Sequence, residues 1–93
     1  MLSVNDYFSG KVKSIAFDTA TLPATVGVIS EGEYEFNTSQ HETMSIVSGE
    51  LSVLLPGQTQ WQVFAAGSQF EVPANARFSV RSGGNSAYLC TYA

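Results

Sequence analysis

Apolar and polar residues alternate in short runs along most of the chain, and the runs end at glycine, proline or asparagine. Residues 33–37 (EYEFN) set charged against aromatic positions, the period-two pattern of a half-buried strand. Residues 25–30 (TVGVIS) are β-branched and stop at Glu31-Gly32. Residues 43–48 (TMSIVS) and 50–55 (ELSVLL) meet across Gly49, and Pro56-Gly57 ends the second run. Residues 11–17, 61–65, 69–72, 77–81 and 86–92 complete the series. The spacing predicts about nine short strands with a turn between each pair. No segment sustains a helical period. An all-β sandwich or barrel follows, formed as one domain over residues 1–93. Residues 1–9 precede the first predicted strand and are expected to be a mobile end.

Composition narrows the function. The net charge is −4, and Lys11, Lys13, Arg77 and Arg81 are the only cations. Four scattered cations make no basic stripe, so nucleic acid is not an expected partner. Cys90 is the only cysteine, which excludes an internal disulfide and fits a reducing compartment. No run approaches the ~20 apolar residues of a membrane-spanning helix, and MLSVNDYFSGKVKS has no apolar stretch of signal-peptide length. A cytoplasmic setting without membrane contact is expected.

Two glycine-punctuated stretches are more specific. In the first, Gly32 to Gly49, six residues separate Glu42 from Gly49. In the second, Gly67-x5-Pro73 is followed by Asn75, Phe78 and Ser82. These spacings resemble the two cupin signatures, which implies a single cupin fold, a double-stranded β-helix or jelly-roll-like barrel. The metal-binding histidines of that pattern are missing. Counting forward from Gly32, their places fall on Thr38 and Gln40. Counting back from Glu42, they fall on Phe36 and Thr38, or on Glu35 and Asn37. Phe78 stands at the third. His41 adjoins Glu42, so on a strand the two point to opposite faces. A first-row metal site needs three or four His, Cys or carboxylate ligands, and the expectation is a metal-free pocket with no cofactor.

The resemblance narrows further. NDYFSGKVKSIAF, VGVISEGEYEF, MSIVSGELSVLLPG, WQVFAAGSQFEVP and SAYLCTYA together resemble the small cupin-fold pyrimidine/purine nucleoside phosphorylases over nearly the whole chain. That resemblance implies phosphorolysis. Inorganic phosphate attacks C1′ of a purine or pyrimidine nucleoside and releases the base and a pentose 1-phosphate.

The chemistry asks for three things. Phosphate needs cations or converging donors. The ribose hydroxyls need an acceptor, and a carboxylate there also favours the positive charge that builds as the base leaves. The base needs stacking surface. Glu42 is the candidate catalytic carboxylate, or else a barrel-mouth acid bonded to backbone. Lys13 and Arg77 are the candidate phosphate cations, or else solvated surface. Tyr34, Thr38, Met44, Phe78 and Tyr88 are candidates for binding the substrate, or else core.

Three other readings stay open: a metal-free sensor that binds a sugar or nucleoside without turnover, a metal-dependent cupin enzyme, and a structural subunit. A homodimer is expected, because a small open sandwich leaves edge strands to cover.

Overall fold

The computed structural model describes residues 2–93. They form ten strands: β1 (Ser3–Tyr7), β2 (Val12–Asp18), β3 (Pro23–Ile29), β4 (Gly32–Asn37), β5 (Glu42–Ser48), β6 (Glu50–Leu54), β7 (Gln62–Ala65), β8 (Gln69–Val72), β9 (Arg77–Ser82) and β10 (Ser86–Tyr92). No helix among the described residues is long and apolar enough to cross a membrane. A six-stranded sheet runs β1-β2-β3-β10-β5-β8, and a four-stranded sheet runs β4-β9-β6-β7. The strand pairs are antiparallel, as in Gly32↔Ser82 for β4 with β9 and Val12↔Ile29 for β2 with β3.

The strand beyond the nine expected is β1, which lies in the stretch expected to be a mobile end. It pairs with β2 from Ser3↔Ala16 to Tyr7↔Val12. Its side chains are mostly exposed, so this edge strand carries little hydrophobic patterning and is held by its ladder bonds instead. Met1 lies outside the described residues.

The two sheets enclose one core. Val12, Ile29, Leu51, Val53, Val72 and Val80 are essentially solvent-free. Each sits at a period-two inward position, and each such side chain contributes roughly 1.5–3 kcal/mol on burial. Phe64, Phe70, Phe78 and Phe36 form a continuous file of ring contacts through this core at centroid separations of 4.8, 6.1 and 5.6 Å.

The signature turns do specific work. Gly49, between β5 and β6, has φ +78°, and a Cβ there would meet the Ser86 hydroxyl at 2.7 Å and the Asn85 carbonyl oxygen at 3.1 Å. Only glycine satisfies both constraints. Asn75, standing where the cupin pattern has glycine, takes φ 56°, a conformation asparagine tolerates.

Candidate functional site

A cavity of about 290 Å³ opens between the sheets, near the lower end of the roughly 300–1,000 Å³ typical of small-molecule sites. Tyr7 of β1, Phe8 of the turn after it, Ser14 of β2 and Ile29 of β3 line it from the side of the larger sheet. Glu35, Phe36 and Asn37 of β4 and Phe78 of β9 form the opposite wall. Glu42 and Met44 of β5 and Tyr88 and Tyr92 of β10 complete the wall on the larger sheet.

Glu42 is the carboxylate at the centre of the electrostatics. It is half-buried, and burial raises its pKa from the ordinary carboxylate range, opposed by a hydrogen bond from Cys90. The Cys90 thiol donates to Glu42 Oε1 at 3.5 Å. Burial, and then the charge of Glu42, push that thiol up to about 12, so Cys90 is an inert core group rather than a nucleophile.

Burial first, and then Cys90, push the Tyr88 phenol up to about 12, with the Ser14 hydroxyl opposing. The Tyr92 phenol is also raised, chiefly by burial, and its oxygen lies 2.9 Å from the Thr25 hydroxyl. Both phenols therefore keep their protons and can donate at neutral pH. Tyr88 fits because position 27, opposite it on β3, is glycine. A Cβ at Gly27 would lie 2.6 Å from the Tyr88 hydroxyl and from the ring carbon that bears it.

The structure brings four sequence candidates together on the cavity: Glu42, Met44, Phe78 and Tyr88. It places the other four elsewhere. Tyr34 is buried in the core, and its hydroxyl donates to the backbone oxygens of Ser30 and Glu31 at 3.1 and 3.0 Å. The Thr38 hydroxyl donates to Pro73 O at 2.7 Å and accepts from the Ala76 amide at 2.9 Å, which ties β4 to the turn before β9. Neither hydroxyl is left to hold a substrate.

Lys13 points away from the cavity, because its neighbours Val12 and Ser14 take the inward positions of β2. It pairs with Asp6 at 3.8 Å. Arg77 alternates outward beside Phe78 and pairs with Glu35 at 3.8 Å. Arg81, also exposed, bonds Glu33 at 2.7 Å and covers the Trp61 ring. Among the described residues no lysine or arginine lines the cavity.

Sequence reasoning missed Tyr7, Phe8, Ser14, Asn37 and Tyr92. Tyr92 was reachable, since Ser86, Tyr88, Cys90 and Tyr92 share one parity on β10. Tyr7 and Phe8 were hidden in the stretch without a strand pattern. Phe8 takes φ 52°, and its ring sits 4.9 Å from Tyr34 and 5.6 Å from Phe36.

The residues present do not fit a metal centre. Among the described residues no three His, Cys, Asp or Glu side chains gather as a ligand set. His41 lies away from the cavity lining, 3.1 Å from Glu71.

The sequence model of the family described as pyrimidine/purine nucleoside phosphorylase matches residues 2–92. The chain belongs to this family. Relatives named pyrimidine/purine nucleoside phosphorylase in Marinobacter nauticus and Hahella chejuensis are each 64% identical to it over 92 residues, covering 99% of both chains. A solved structure from Vibrio parahaemolyticus, of a protein described as of unknown function, superposes with a TM-score of 0.96 at 36% identity. It covers 100% of this chain and 99% of its own. The fold of this pyrimidine/purine nucleoside phosphorylase family member is that of the cupins. An RmlC-like cupin from Shewanella frigidimarina superposes with a TM-score of 0.77 over 97% of this chain and 81% of its own, at 22% identity.

Proposed function

We propose that the chain phosphorolyses purine and pyrimidine nucleosides in the cavity between its sheets, without a metal. The observation that carries this is the half-buried Glu42 carboxylate inside an aromatic-walled cavity of nucleoside scale, in a chain whose full-length relatives bear the phosphorylase name.

Glu42 accepts hydrogen bonds from the ribose hydroxyls. As the bond from C1′ to the base breaks, positive charge grows on the ribose, and a fixed carboxylate in a partly dry site stabilises it more than water would. Phosphate attacks C1′ from the face opposite the base. An oxygen of hydrogen phosphate forms the new bond to C1′, the base leaves with the electron pair of the broken bond, and the proton that the phosphate gives up ends on the base.

The cavity wall offers phosphate neutral donors, the hydroxyls of Ser14 and Tyr88, in place of Lys13 or Arg77. Neutral donors suit a pocket that already holds a carboxylate, since each protonated phenol or hydroxyl binds an oxyanion without an ion-pair partner. Phe78 and Met44 pack against the substrate's apolar surfaces.

The active unit is a homodimer in the cytoplasm. Val4, Ile15 and Val26 lie side by side across β1, β2 and β3 on the outer face of the larger sheet, and Val28 adjoins them. They are 73%, 40%, 42% and 48% exposed respectively. A contiguous apolar sheet face of this kind suits a second copy stacked about a two-fold axis.

The decisive experiment mixes purified protein with uridine or adenosine, with and without phosphate. Free base and pentose 1-phosphate should appear only when phosphate is present. Nucleoside binding without phosphate-dependent release would refute the enzyme and favour a binding module.

A further inference from the structure

β4 is an edge strand. It pairs with β9, and no described strand lies along its other side. In an antiparallel ladder, residues whose N–H and C=O bond the partner alternate with residues whose groups point the other way. Here the register assigns them. The Thr38 amide donates to Ala76 O at 2.9 Å, continuing the series Tyr34↔Val80 and Phe36↔Phe78. Tyr34, Phe36 and Thr38 thus turn their backbone groups toward β9, and Glu35 and Asn37 turn theirs to the free edge.

Side chains alternate with the same period. Tyr34 and Thr38 are buried, Phe36 packs on the core, and the Glu35 carboxylate faces outward to Arg77. Yet Glu35 and Asn37 both line the cavity. By this parity both side chains turn away from the core, which leaves the backbone edge as what the two residues bring to the cavity.

The geometry points to this free edge of β4, at Glu35 and Asn37, as the element that reads the nucleobase. The inference rests on the phosphorylase reading and names how that site takes its substrates. In an extended strand the N–H and C=O of one residue face the same way, so each exposed position offers a donor beside an acceptor. Every common nucleobase carries the complement on its pairing edge. Uracil, thymine, hypoxanthine and guanine set a ring N–H beside a carbonyl. Cytosine and adenine set an amino group beside a ring nitrogen. One strand residue makes a two-point contact with any of them, and it does not distinguish a purine from a pyrimidine. Side-chain readers placed against one base would reject the others by leaving polar groups unpaired. A backbone edge accepts all bases that keep the adjacent donor and acceptor, and excludes those that lack the donor.

The substrates themselves test this. On the unmodified protein, 3-methyluridine, whose ring N–H is replaced, should show a KM about tenfold or more above that of uridine, the loss expected when a hydrogen bond is removed and its partner left unmet. The isomer 5-methyluridine, methylated away from the pairing edge, should behave as uridine. Equal handling of all three would overturn the inference.

Proline supplies the second arm, because it deletes one N–H and is tolerated on an edge strand. Glu35→Pro and Asn37→Pro should each raise KM for uridine and adenosine alike, by roughly the same tenfold. Glu33→Pro, on the same edge but outside the cavity, should not. If Asn37→Ala, which retains the N–H, reproduces the effect of Asn37→Pro, the side chain is the reader and the inference fails.

Should the proline variants not fold, amide NMR of the unmodified protein titrated with uracil and hypoxanthine decides. The Glu35 and Asn37 amides should shift and those of Tyr34 and Phe36 should shift less. Turnover without those shifts overturns the inference. Shifts without turnover support it while refuting the phosphorylase reading.

Discussion

The Cys90 thiol donates a hydrogen bond to Glu42 Oε1 across 3.5 Å, linking neighbouring strands β10 and β5 at the cavity wall. The contact holds one oxygen of a carboxylate that lines the cavity. Burial nevertheless dominates, so the acid is harder to ionise than one in water.

Glu42→Gln should therefore lower kcat for phosphate-dependent base release by about 10²–10⁴-fold, the range for a group acting in the transition state. Circular dichroism and a melting curve check that the fold persists. Turnover at the parental rate would make Glu42 structural only.

The same shift has a sign for stability. A carboxyl whose folded-state pKa is raised favours the protonated form in the fold, so its contribution is present below the unfolded-state pKa and is lost as pH rises through the folded-state pKa. At neutral pH ionised Glu42 costs stability. Glu42→Gln should melt higher than the parent near pH 7, with the gap closing as pH falls through the carboxylate range. Activity should fall over that same acidic interval, because the ribose needs the ionised acid.

Gly27→Ala tests the seat of Tyr88. The new methyl would stand 2.6 Å from the Tyr88 hydroxyl, so the ring must move. Overpacking of this kind costs about 1–3 kcal/mol. Urea denaturation should register the loss, and KM for phosphate should rise. The Gly27→Ala/Tyr88→Ala double variant should recover part of the stability lost relative to Tyr88→Ala alone; strict additivity would show that the two positions are not coupled.

Val26→Lys places a charge in the exposed apolar face of the larger sheet. Sedimentation velocity should show a dimeric parent and a monomeric variant. A parent that sediments as a monomer at micromolar concentration would remove the dimer from the proposal.

Exhaustive chelation should leave phosphorolysis unchanged. A tightly bound stoichiometric metal whose removal abolishes turnover would contradict the donor set, since among the described residues no three His, Cys, Asp or Glu side chains gather as ligands.

Local chemistry determined much of this protein in the sequence itself. Period-two alternation marked the inward positions of Phe78, Val80 and Met44. Gly49 and Asn75 marked turns that need positive φ, and the absence of histidine at Thr38, Gln40 and Phe78 argued against a cupin metal. Glu42 was singled out by its distance from Gly49, and the family by motifs spread along the chain. Only the tertiary structure decided which polar groups remain free to act. Thr38 and Tyr34 have inward parity and still lie outside the cavity lining, because their hydroxyls are taken by backbone oxygens of Pro73, Ser30 and Glu31. Lys13 and Arg77 are cations in the right strands with the wrong parity. The contribution of β1 and its turn, and the free edge of β4, depend on which strands end up adjacent. Alternation along one strand specifies a face, whereas strand order across a sheet is set by long-range pairing that no local pattern records.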